Sequence, residues 1–220
     1  MKIVREEDLN KSRDEIVSKL YNVCQNAHFP VTKPDVYDHL YSSADLVSRF
    51  LVNDDNEIVG FGVAQNYSLE INEVPMTLAY LQGMVIASGY QGRGYSKKML
   101  NNIYQSLQSN LFGLRTQNPK MALAMLNLFK NVLLKIPTTN GEELSPHILI
   151  ELFQSLRQIS PYQDIDDRGI VRNCYQNQLY PHLNELKKIN SSIDLEETSA
   201  LAVIVQPNTT SRMILSKRRK

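Results

Sequence analysis

Residues 91 to 96 read Gln91-Gly92-Arg93-Gly94-Tyr95-Ser96. An apolar strand pattern, Met76 to Ser88, leads into them. A helical pattern follows, with Met99, Leu100, Ile103, Tyr104 and Leu107 on one face. Strand, glycine-containing turn and helix start are together a recipe for holding phosphate. The first N–H groups of a helix have no internal partners, and the helix dipole adds partial positive charge there. Glycine lets the main chain come close to an anion. Gly92, Gly94 and the small Ser96 leave the amides from Gly92 to Lys97 unobstructed, and Arg93, Lys97 and Lys98 add positive charge. The spacing excludes two other phosphate loops. No Gly-x-x-x-x-Gly-Lys-Ser/Thr run occurs. Lys97 stands where a dinucleotide fingerprint would place its third glycine, and no βαβ unit surrounds the turn.

The elements that must position this turn follow from periodicity and turn residues. Lys2 to Arg5 predicts a first strand. Ser12 to Asn26 predicts a helix with Ile16, Val17, Leu20, Tyr21 and Cys24 inward, and a short helix ends at Tyr41 after Pro30 and Pro34. Leu46 to Val52 reads as a strand, Asn53 to Asn56 as a turn, and Glu57 to Leu69 as the returning strand. A polar turn, Glu70 to Pro75, precedes the strand Met76 to Ser88. The centre of the chain is therefore an antiparallel meander. Leu111 to Thr116 is a further strand. Asn118-Pro119 signals a helix start, and the helix is expected to reach Ile136 and to be well buried. Ser145-Pro146 starts another helix, with Ile148, Leu149, Leu152, Phe153 and Leu156 inward. An inserted helical segment of about 137–165 thus separates the core from two late strands, about 169–175 and 200–206. No domain boundary stands out, so 1–220 reads as a single domain with a mixed, mostly antiparallel sheet flanked by helices (α/β, α+β).

Composition narrows the partners. Of 220 residues, 24 are Lys or Arg and 23 Asp or Glu, a net charge of +1. That balance gives no argument for a nucleic-acid partner. The basic cluster Lys217-Arg218-Arg219-Lys220 reads as a solvated terminus. Cys24 and Cys174 have no metal or redox spacing and read as buried thiols in a reducing compartment. His28, His39, His147 and His182 show no metal spacing, and each reads as a surface or cap residue; no metal is expected. The charged start argues against a signal peptide, and no run approaches a membrane-spanning length. A cytoplasmic protein without membrane contact is the expectation.

The segment Gly83-Met-Val-Ile-Ala-Ser-Gly-Tyr-Gln-Gly-Arg-Gly-Tyr-Ser-Lys resembles the signature of the GNAT N-acetyltransferases. In that family an apolar strand leads, through a few residues, into Arg/Gln-x-x-Gly-x-Gly/Ala at a helix start. Gln91, Gly94 and Ser96 fill its three defined places, Ser96 departing mildly from Gly or Ala. The element order agrees over roughly residues 1–136. The resemblance implies a sheet splayed at the cofactor site and acetyl-CoA (coenzyme A) as cofactor. Met84, Val85 and Ile86 would offer main-chain groups to the pantetheine arm. Gly92, Arg93, Gly94, Tyr95, Ser96 and Lys97 would bind the pyrophosphate, after Gln91. Asn118 matches a cofactor-contacting Asn of many members, and equally fits a plain helix cap.

The reaction so implied is direct attack of a small-molecule or peptide amine on the thioester within a ternary complex. Holding the two together supplies most of the rate gain. A main-chain N–H at Met84–Ile86 stabilises the oxyanion, and a base takes the ammonium proton. The family's strand Glu has no counterpart here, since Tyr80 and Gln82 occupy the matching positions. Glu70 and Glu73, on the turn before that strand, are candidates for the base. Met125 stands where many members have a Tyr acid, and Tyr80, Tyr95, Tyr162 or a water are the substitutes. Two classes stay open: an N-acetyltransferase, or a degenerate acyl-CoA-binding sensor or interaction module. The stretch from Pro137 to Ser160 either covers the acceptor pocket or forms a homodimer surface.

Overall fold

From Ser68 to Ile71 the side chains run exposed, buried, exposed, buried in the computed structural model of the chain. That is the period of a strand covered on one face. The strands of the central hairpin, Ile58–Ile71 and Val74–Ile86, therefore run closer to their turn than expected. The polar stretch Glu70–Pro75 is mostly strand rather than turn. Glu70 is an outward strand position, and the chain reverses beside Glu73, whose φ is +58°. The structure describes residues 1–29, 31–71, 73–116, 118, 120–121, 124–125, 132–134, 146–159, 162–166, 170–171 and 200–205. They belong to two compact units: Met1–Asn66 with Tyr80–Gln108, and Tyr67–Ala79 with Ser109–Lys220.

In the first unit β1 (Lys2–Val4) pairs antiparallel with β2 (Leu46–Val52), Val4 opposite Phe50. β2 pairs antiparallel with β3 (Ile58–Ile71), Phe50 opposite Phe61, and β4 (Val74–Ile86) follows in the order β1-β2-β3-β4. Asn53 builds the β2–β3 turn. Its Oδ1 accepts from the Glu57 N–H at 2.8 Å and its own N–H donates to the Glu57 carbonyl at 3.0 Å, with Asn56 left-handed at φ +62°.

One face of this sheet is covered by α1 (Arg13–Asn26) and α2 (Lys33–Tyr41). Ile16, Val17, Leu20 and Cys24 of α1 and Val36 and Leu40 of α2 bury against Phe50, Phe61 and Val63. Val23 takes an inner position, while Tyr21 stays half-buried. Burial pushes the Cys24 thiol up to about 11; Cys174 lies outside the described residues. The opposite face carries α3 (Tyr95–Leu107), which buries Met99, Leu100 and Ile103. Gly62, which alternates with Phe61 and Val63, makes room for it: a Cβ there would lie 2.7 Å from Ile103 Cδ1.

Arg49, next to Phe50 and so on the α3 side, ties α3 to β2. Its Nε donates to Asn102 Oδ1 at 3.0 Å and its Nη2 to Ser106 Oγ at 2.6 Å. Arg49→Ala is expected to lower stability by about 1–2 kcal/mol, since these bonds are partly screened by solvent. The shift in the denaturant midpoint reads it.

α2 is set by a capping box. Thr32 N–H and Oγ1 both donate to Asp35 Oδ2 at 2.7 Å, and Thr32 Oγ1 accepts from the Asp35 N–H. The Thr32 side chain, then its backbone, holds the Asp35 carboxyl below the usual carboxylate range. A depressed folded pKa stabilises fully above the unfolded value of about 3.9. The contribution disappears as pH falls through the lower folded value. The thermal midpoint should therefore fall with acidification in wild type, and less steeply in Asp35→Asn.

In the second unit the order is β3-β4-β5-β8-β6, with β5 (Leu111–Thr116), β6 (Val132–Leu134) and β8 (Ala200–Val205); β7 (Ile170–Val171) also pairs with β8. β5 and β8 are antiparallel, Leu114 opposite Val203. β6 and β7 each pair antiparallel with β8. Asn110 Oδ1 accepts from the Thr77 N–H at 2.8 Å. α4 (Pro146–Arg157) starts at the expected Ser-Pro and buries Leu152, Phe153 and Leu156. Val132–Leu134 corrects the helix expected to run to Ile136, because a short apolar run has no period that separates buried strand from buried helix. Of the expected late strand 169–175 the structure describes Ile170–Val171, and residues 172–199, the loop 137–141 and the terminal Lys217–Lys220 lie outside the described residues. Among the described residues no helix is long and apolar enough to cross a membrane, and no group of three His, Cys, Asp or Glu could hold a metal ion.

Candidate cofactor site

β4 ends at Met84, Val85 and Ile86. Met84 and Val85 are half-buried and Ile86 is buried. The chain then makes a single 3-10 turn, Ser88–Tyr90. The Ala87 N–H donates to the Val59 carbonyl of β3 at 2.9 Å, and the Tyr90 N–H donates back to Ala87 at 2.9 Å. Ser88 Oγ donates to the Asn26 carbonyl at the end of α1. Gln91 closes the turn: its Nε2 donates to the Ile86 carbonyl at 2.7 Å. The signature's Gln thus braces the turn against the strand end.

Gly92 and Gly94 are both left-handed, with φ of +73° and +78°. A side chain there would be strained whatever the space, and the space itself is open: nothing lies within 4 Å of either Cβ position. Gly94 is the N-cap of α3. The Lys98 N–H donates to the Gly94 carbonyl at 3.2 Å, so the amides of Tyr95, Ser96 and Lys97 precede the helical ladder. Arg93 lies over the Tyr90 ring at 5.7 Å and Lys98 over the Tyr95 ring at 5.6 Å, contacts that keep cations beside the turn. Lys97 is exposed and Ser96 half-buried. Helix dipole, leading amides and three cations make this an electropositive helix start.

The first unit therefore brings together Met84, Val85, Ile86 and Gln91 to Lys97. Tyr80 belongs to the same unit, buried in β4. Glu70, Glu73 and Asn118 belong to the second unit. Glu70 is exposed on β3, its carbonyl accepting from Ser155 Oγ, and Glu73 is exposed at the turn before β4 begins. Asn118 caps a helical turn, with Oδ1 accepting from the N–H of Lys120 at 2.9 Å and of Met121 at 3.4 Å. Met125 is fully buried.

Sequence reading takes His39 for a surface or cap residue and gives it no part in the site. On α2, its Nε2 lies 3.2 Å from the Gln82 carbonyl of β4. Residue spacing carries no signal for a contact across this length of chain. The glycine at 83 is the one trace, since a Cβ there would meet the ring at 2.8 Å.

Comparisons with known proteins bear on the family and the fold. A profile of the Acetyltransferase (GNAT) family matches residues 15–124, which span the helices α1 to α3 and the turn. No curated protein matches the sequence. In fold, the chain is similar to the ribosomal-protein-S18-alanine N-acetyltransferase from Escherichia coli, with a TM-score of 0.52 at 12% identity over 94% of each chain. Weaker likenesses include aminoglycoside 6'-acetyltransferase type Ii (TM-score 0.48, 15% identity, 64% of this chain and 90% of that one). Another is Arabidopsis thaliana NAA60 in complex with a bisubstrate analogue (TM-score 0.46, 14% identity, 64% and 92%). With a mixed sheet flanked by helices, a braced glycine turn at a helix start and a family profile over half its length, this chain belongs to the GNAT acetyltransferase family.

Proposed function

We propose that the chain transfers an acetyl group from acetyl-CoA to an amine by direct attack in a ternary complex. The observation that carries this reading is the left-handed pair Gly92 and Gly94, with open space before it, at an electropositive helix start. Acetyl-CoA supplies the activated acyl group. The amides of Gly92 to Lys97, with Arg93 and Lys97 beside them, hold its pyrophosphate. Gln91 keeps that cradle fixed against Ile86. Main-chain groups of Met84, Val85 and Ile86 align the pantetheine arm, and an N–H among them faces the carbonyl oxygen as charge develops. Asn118 is the proposed further cofactor contact. Positioning of the two substrates supplies the larger share of the rate.

The acceptor is an amine of a small molecule or a peptide. Free-thiol release is the test, with acetyl-CoA and four acceptors: spermidine, tyramine, kanamycin and a peptide with a free N-terminal alanine. Release that depends on one of these amines supports the reading and names the substrate class. Acetyl-CoA binding without release on any acceptor would favour a sensor or interaction module instead.

A further inference from the structure

Between Val74 and Ile86 strand β4 carries no carboxylate. An amine acceptor arrives mostly as ammonium, so its proton needs a destination elsewhere. α2 places one against the strand. His39, in the last turn of α2, sets Nε2 3.2 Å from the main-chain carbonyl of Gln82. A Cβ on Gly83 would stand 2.8 Å from Nε2 and 3.2 Å from Cδ2. The imidazole thus fills the place that a side chain at position 83 would take.

A carbonyl oxygen only accepts, so Nε2 carries the hydrogen of this contact, and the neutral ring keeps its lone pair on Nδ1. Among the described residues no hydrogen bond engages Nδ1, and the residue is exposed. Its position on the strand matters most. Met84 follows Gly83 directly, and one strand residue spans about 3.3 Å. The ring therefore sits beside the main chain that the reading above aligns with the thioester.

We propose that His39 is the general base of the acetyl transfer, an inference that rests on the acetyltransferase reading. Nδ1 takes one proton from the acceptor's ammonium, while Nε2–H on the Gln82 carbonyl fixes the ring. The freed nitrogen lone pair forms the bond to the acyl carbon. The C–S bond breaks and its electrons leave on sulfur. The second proton lost by the nitrogen passes to that sulfur, giving the thiol, and the imidazolium returns its proton to solvent.

His39→Gln separates a base from a tether. A glutamine amide can donate to the Gln82 carbonyl as Nε2 does, but it has no basic atom. With the acceptor that turns over in the thiol assay, kcat should fall by about 100-fold or more in His39→Gln. The acetyl-CoA dissociation constant should stay at the wild-type value. Exogenous imidazole should restore part of the turnover of His39→Ala, a response that a lost tether would not give. His39→Gln carries the test alone if His39→Ala does not fold. Wild-type turnover in His39→Gln would reduce His39 to a tether and overturn this inference while leaving the acetyltransferase reading intact. Absence of thiol release in wild type itself would overturn both.

Discussion

Gly94→Val is expected to raise the dissociation constant for acetyl-CoA tenfold or more, a loss of about 1.4 kcal/mol of binding. The cause is backbone conformation. Gly94 has φ +78° and caps α3. A β-branched residue resists that region strongly, so the turn must rotate and take the amides of Tyr95 to Lys97 with it. No clash within the protein adds to this, because a Cβ at this position meets no protein atom within 4 Å; the valine side chain would instead enter the space proposed for the pyrophosphate. Gly89→Ala is the matched control. It too has open space around its Cβ position, but its φ lies outside the left-handed region, so its affinity should match that of wild type. Calorimetric titration of both variants, with folding verified by circular dichroism, gives the comparison. Wild-type affinity in a folded Gly94→Val protein would remove the turn from the binding account.

The largest expected effect on stability comes from Phe50→Ala, about 3–5 kcal/mol. Phe50 is fully buried, opposite Phe61 in the β2–β3 pair and under α1 and α2. Truncation loses the ring's transfer free energy and leaves a cavity that a sheet clamped by Val4 on one side and Phe61 on the other fills poorly. A whole domain is stable by about 5–15 kcal/mol, so this one change takes a large share. The denaturant midpoint should fall with the slope unchanged, and saturating acetyl-CoA should raise the midpoint in both proteins. A loss below about 1 kcal/mol would mean that this face is not packed as described.

Where the sequence carries two independent signals, its reading matches the structure. Leu46–Val52 and Leu111–Thr116 are strands over the expected residues, because apolar runs there are bounded by turn-forming residues. Pro146–Arg157 starts at its Ser-Pro signal. The hairpin at Glu70–Pro75 misled because polar composition suggests a turn, whereas Ser68 and Glu70 alternate with buried Leu69 and Ile71. Val132–Leu134 misled because apolar composition alone does not choose between helix and strand.

The site divides in the same way. The turn is local, so strand, glycines and helix start are all visible in one stretch of sequence. Gln91 was legible as a signature residue, but its bond to the Ile86 carbonyl needed coordinates. His39 meets β4 only through the fold, and its sequence neighbours on α2 announce nothing beyond a capped amphipathic helix.

The proposed function stands or falls with pyrophosphate binding at this turn. Calorimetric titration of the wild-type protein with acetyl-CoA and, in parallel, with S-acetylpantetheine tests it most directly, because the second ligand keeps the thioester arm and lacks the pyrophosphate. Saturable binding of acetyl-CoA and at least tenfold weaker binding of S-acetylpantetheine are expected. Equal affinities, or no heat with acetyl-CoA, would contradict it and leave Gln91 to Ser96 as a turn that only starts a helix.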